Sequence, residues 1–194
     1  MSDELYFEFL QDGQGIPEAP RESSAALSVF CKQTEHRARE VGVAALTDLE
    51  AALTALMKSL PSGTTLLFLG KNERSVAYGA ICSFLLALRE CERVLSEQAV
   101  KLARCDELIA WEIQRSGDEN GEMRRTGSTL HTLYEQYARF CRIGVTDICL
   151  RIEHAADMEH EGELLSLYAL GVLCGKLQKE IQTLRSETTD QFNH

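Results

Sequence analysis

The chain reads as an all-α protein, an antiparallel bundle of four or more long amphipathic helices, with at most a minor strand element near 4–10 or 64–69. Three observations lead there. Leu46, Leu49, Leu53, Leu56 and Leu60 recur at alternating three- and four-residue steps, which places them on one stripe of a helix with the spacing of coiled-coil a and d positions. Similar stripes return in three further segments. Only 3 prolines occur in 194 residues, and none falls inside a periodic segment.

Taken in order, residues 1–21 form an N-terminal segment and linker. Leu5, Phe7 and Phe9 alternate with Tyr6 and Glu8 as in a strand, yet Ser2 can cap a short helix with Asp3 and Glu4 in its first turn. The short helix is the preferred reading. Gly and Pro then punctuate Gln11 to Pro20. From Ser23 to Leu60 the pattern is helical. A break is expected near Gly42, with a second helix opening at the capping-box pattern Thr47-Asp-Leu-Glu50. Pro61 and Gly63 stop the run. Thr64 to Leu69 is too short for periodicity to assign.

Asn72 is a fitting N-cap for the next helix. Its stripe is Ala77, Ile81, Phe84, Leu88, Cys91 and Leu95, continued by Gln98, Leu102 and Cys105. The helix runs to about Arg115 or restarts near Cys105. Gly117 to Gly127 reads as a polar, protease-sensitive loop. Ser128 or Thr129 then caps a third helix lined by Leu130, Tyr134, Tyr137, Cys141, Val145, Ile148 and Ile152. The fourth runs from about Glu161 to Arg185, with Leu167, Leu170, Cys174, Leu177, Ile181 and Leu184 as its stripe. Residues 22–186 are expected to form one bundle domain and 187–194 a frayed polar tail.

Composition narrows the function classes. Thirty acidic against 20 basic residues give a net charge of −10, which repels phosphate backbones, and no dense basic patch offsets it; nucleic acid is not an expected partner. The 7 cysteines include no C-x-x-C pair and mostly sit among apolar neighbours, as in Ala80-Ile81-Cys82, so they read as small buried hydrophobes in a reducing compartment. The acidic start Met1-Ser2-Asp3-Glu4 is unlike a signal peptide, and no apolar run is long enough to span a membrane. A cytoplasmic location is the expectation.

Motifs for chemistry are sparse. No P-loop, dinucleotide fingerprint or G-x-S-x-G pattern occurs. The sharpest constellation lies at 153–163, where Glu153, Asp157 and His160 share a face if the helix is continuous. A di-iron bundle needs two Glu-x-x-His elements and two more carboxylates, and only one weak copy is present. No metal or cofactor is therefore expected. His36 with Glu40 and His131 with Glu135 have the spacing of surface pairs on helices. Gly171 and Gly175 have the small-x-x-x-small spacing that lets a helix approach closely. Candidate partner-binding residues are Tyr6, Phe9, Trp111, Arg139 and Arg142, combining aromatic anchors with two cations on one helix face.

Long stripes on an acidic bundle without catalytic motifs point to a non-enzymatic helical interaction protein: an adaptor, regulator, chaperone or inhibitor. It would act through helix-mediated contacts with a protein partner, with itself as a dimer, or with both. A metal-dependent or redox enzyme using 153–163 and a small-molecule-binding bundle are the alternatives.

Overall fold

A computed structural model describes residues 23–59, 71–118, 121–145 and 167–190. Four helices pack against one another, with no strand among the described residues. α1 is Ser23–Ser59, α2 Lys71–Ser116, α3 Glu122–Arg139 and α4 Leu167–Asp190. A π-helical segment, Phe140–Val145, continues α3. The expectations for 4–10 and 64–69 fall outside the described residues. No helix among those residues is long and apolar enough to cross a membrane.

Cross-helix contacts fix the directions. Ser24 meets Glu112 and Cys31 meets Cys105, so α1 and α2 are antiparallel. α3 runs with α1, since Lys32, Glu35 and Ala38 meet Glu122, Thr129 and Tyr137 in turn. It runs against α2, through His131–Asp106 and Ser96–Cys141. α4 runs against α1, with Thr188 at Arg39 and Arg185 at Glu50. The result is an up-down-up-down bundle.

The core is built from the stripes the sequence displays. The α2 stripe runs through Leu95 and Leu102 to Cys105 beside Cys31; at the opposite end Leu46, Leu49, Leu53 and Leu56 of α1 are buried with Ile81, Phe84, Leu88 and Cys91 of α2. Cys174, Leu177, Ile181 and Leu184 of α4 close that end. Removing such side chains from water supplies most of the folding free energy, about 1.5–3 kcal/mol for each fully buried Leu or Ile.

Several expectations need correction. α1 does not break at Gly42 or restart at Thr47; Thr47 Oγ1 donates back to the Val43 carbonyl at 2.8 Å inside a continuous helix. α2 neither starts at an Asn72 cap nor restarts near Cys105, but runs unbroken from Lys71 to Ser116. The polar loop is shorter than expected. Gly117 (φ 76°) ends α2 with its N–H on the Ile113 carbonyl at 2.9 Å, and Gly121 (φ 65°) opens α3, both in the left-handed region that glycine enters at little cost. Ser128 and Thr129 therefore do not cap α3. The Asp118 carboxylate takes that role, accepting from the Met123 and Arg124 amides at 3.4 and 3.0 Å. At the other end, α4 continues through Asp190, with Thr188 buried, so 187–190 is helix and not frayed tail. Cys82 is exposed although its neighbour Ile81 is core, because adjacent helical residues point about 100° apart.

Candidate functional site

The orientation of α3 decides what it presents outward. Met123, Leu130, Leu133, Tyr137 and Phe140 are buried, and Tyr137 is the largest fully buried side chain among them. Its hydroxyl donates to the Ala38 carbonyl of α1 at 2.9 Å. Burial, ahead of any charge effect, pushes the phenol well above its ordinary pKa, so it stays a neutral donor. The ring fits because Gly42 lies beneath it: a Cβ there would fall 2.1 Å from the Tyr137 hydroxyl oxygen. With Tyr137 inward, the opposite side of α3 faces out. That side lines a groove of about 510 Å³ with His131, Thr132, Glu135, Gln136, Arg139 and Arg142.

The side chains that line the groove end in polar groups that are incompletely paired. Arg139 donates to Glu187 of α4 at 3.4 Å, a long contact between exposed groups that leaves most of its five N–H donors for other acceptors. Among the described residues neither Glu135 nor Arg142 has an ion-pair partner. The side-chain oxygen of Gln136 is buried and accepts no hydrogen bond there. An unsatisfied buried acceptor costs about 1–3 kcal/mol unless a donor arrives.

Two buried polar junctions brace the scaffold. Arg39, 3% exposed, donates to Glu35 at 2.7 and 3.1 Å and to the Thr188 carbonyl at 3.1 Å. It thus satisfies a terminal carbonyl of α4 and sits at the negative end of that helix dipole. Glu112, fully buried, accepts from Ser24 (2.6 Å), Arg115 (2.8 and 2.9 Å) and Ser116 (2.6 Å). Burial opposes its ionisation, but hydrogen bonds from Arg115, Ser116 and Ser24 outweigh it and hold the pKa at about 2. Two of the buried thiols, Cys91 and Cys174, are not poised as nucleophiles. Burial pushes Cys91 up to about 12 and Cys174 to about 11.

The structure brings two sequence candidates together, Arg139 and Arg142, in the α3 groove. Trp111 lies elsewhere, half-buried on α2 with the Arg115 guanidinium 5.5 Å from its ring centre, a cation–π contact within the chain. A Cβ built at Gly175 meets nothing within 4 Å, and among the described glycines the tightest approach is at Gly42. Gly171 lies in α4, but its surroundings fall outside the described residues, as do Tyr6, Phe9, Glu153, Asp157 and His160. Among the described residues no group of three or more His, Cys, Asp or Glu is placed to hold a metal ion. His36 pairs with Glu40 at 3.3 Å as its spacing implies, whereas His131 turns from Glu135 to Asp106 of α2 at 3.2 Å. Thr132 and Gln136 are groove residues that the sequence did not single out. Their one signal is position: each lies beside the Leu130-Leu133-Tyr137 stripe on the side away from the core.

Comparison with protein-family models, curated proteins and solved structures finds no match to this chain.

Proposed function

We propose that the chain is a non-enzymatic helical interaction protein whose contact surface is the outward face of α3. The observation that carries this reading is the groove itself, with Arg139 and Arg142 beside the orphaned Gln136 acceptor on a helix locked by Tyr137. A rigid helix offering unspent donors and acceptors gains affinity because little side-chain and backbone freedom remains to be lost on binding. The site suits recognition better than turnover: its open charged groups can pair with a partner's surface, and its neighbours Leu133, Tyr137 and Phe140 are fully committed to the core.

The test is purification of the tagged chain from its native cell, as wild type and as Arg139→Glu/Arg142→Glu. A protein recovered in stoichiometric amount with the wild type and lost with the variant is the expected result. Recovery of the wild type with no protein in such amount, its own second copy included, would sink the reading. So would stoichiometric iron, manganese or zinc that disappears on His160→Ala, since this would establish the metal-dependent alternative at 153–163.

A further inference from the structure

Resting on the α3 surface just proposed, we infer that its occupant is a second copy of this chain, bound by an antiparallel, two-fold α3–α3 contact. The argument is the order of charges along the groove. Tyr137 points into the core, so the outward face is centred opposite it, at its own level along the helix. In a two-fold antiparallel pair with its axis at that level, residues equally far before and after Tyr137 face each other. Glu135 then faces the partner's Arg139, and Arg139 faces the partner's Glu135. Thr132 lies toward the partner's Arg142, in the π-helical continuation of α3. The charged groups left open in the groove thus meet complements: a carboxylate without an ion-pair partner among the described residues, and two guanidinium groups with donors to spare.

This order is self-complementary, as an isologous interface requires. A parallel pairing would set Glu135 on Glu135 and Arg139 on Arg139. The net charge of −10 on each copy opposes association at long range, but at physiological salt charges more than about 8 Å apart are largely screened, and contact pairs much less so.

Sedimentation equilibrium at 150 mM NaCl over about 1–200 µM covers the range in which a small polar interface dissociates. The expectation is a monomer of 21.7 kDa in equilibrium with a species of twice that mass. Glu135→Arg and Arg139→Glu each set like charges across the axis and weaken the dimer at least tenfold. The double exchange Glu135→Arg/Arg139→Glu restores it, which a merely structural role for either residue would not produce. A monomer at every concentration overturns the inference. A dimer indifferent to the single changes does so too, because another face then carries it. A dimer weakened by both changes and not rescued by the exchange overturns the two-fold register. If the chain is monomeric while Arg139→Glu/Arg142→Glu still abolishes capture of a different protein, the second copy is excluded and the interaction reading stands. If the chain is monomeric and captures nothing, both fail.

Discussion

Gly42→Ala is the sharpest test of how α1 and α3 meet. In an open helix interior this change is favourable by about 1 kcal/mol, because alanine loses less backbone freedom on folding. Here the new Cβ would fall 2.1 Å from the Tyr137 hydroxyl oxygen and 2.7 Å from the adjoining ring carbon. Comfortable contact needs about 3.5 Å, so something must move by about 1 Å. The ring has no free space, since Tyr137 is 0% exposed. Either α3 lifts off α1, at an overpacking cost of about 1–3 kcal/mol, or the ring turns and abandons the Ala38 carbonyl, leaving a buried hydroxyl unsatisfied at about 1–3 kcal/mol. Where both contribute, and with the gain in propensity set against them, the expected net loss is about 1–5 kcal/mol, or roughly 2–20 °C in Tm for a chain of this size.

Urea unfolding followed by far-ultraviolet circular dichroism measures it. Gly79 is the internal control. It also lies inside a helix, but a Cβ there meets nothing within 4 Å, so Gly79→Ala should stabilise by about 0.5–1 kcal/mol. Tyr137→Phe removes the atom in the worst clash, so Gly42→Ala should cost about 1–2 kcal/mol less in that background. A neutral or stabilising Gly42→Ala would refute the close approach. So would additivity with Tyr137→Phe to within about 0.5 kcal/mol.

Three further predictions follow from the same interior. The folded pKa of Glu112 lies below its unfolded value, at about 2 against 4.5, so its contribution is present above pH 4.5 and is lost as pH falls toward 2. With Arg115 31% exposed, screening reduces this to about 1–2 kcal/mol, and Glu112→Gln should flatten that part of the stability–pH profile. Leu53→Ala, at a position 1% exposed, should cost about 2–5 kcal/mol in urea unfolding, and a loss below about 1 kcal/mol would mean that the α1 face is assigned wrongly. In the native protein a thiol reagent with mass-spectrometric readout should label exposed Cys82 well before buried Cys31, Cys91, Cys105 and Cys174.

The helix stripes were legible because burial along a helix repeats with the helix period, and Leu53, Leu88 and Leu177 obey that rule wherever they lie in the chain. What escaped was non-periodic. Gly42 looked like a helix breaker because a glycine's ordinary signal is weakness of the helix; its actual role depends on a tyrosine 95 residues later in the sequence. Glu112 and Arg39 were not singled out, because what sets them apart from ordinary pairs three or four residues apart on one helix comes from other helices: Ser24 of α1 for the first, the Thr188 carbonyl of α4 for the second. Thr126 and Gly127 were assigned to a loop because Asp118, which caps α3, lies four residues ahead of the helix it starts and not next to it. Of the proposed site, Arg139 and Arg142 were visible as candidates and His131 and Glu135 only as a surface pair, since the rotation of α3 is set by the Tyr137 contact and not by its own sequence alone.

These misses share a physical origin. A stripe of Leu and Ile can slide by one turn past a similar stripe and bury nearly as much area, so apolar periodicity fixes which face is inward but constrains axial register weakly. The contacts that distinguish one register from the next are those with no equivalent one turn away: the Tyr137 ring over Gly42, Arg39 on the end of α4, and Ser24 with Arg115 and Ser116 on Glu112. Sliding α3 by a turn would set Tyr137 against a side chain instead of a bare backbone; sliding α4 would strand a buried guanidinium, which costs far more than a lost methylene. The polar interior therefore supplies register where the leucines supply cohesion. The outward face of α3 inherits that register, because the same Tyr137 contact that halts α3 against α1 fixes the height at which Glu135, Arg139 and Arg142 stand.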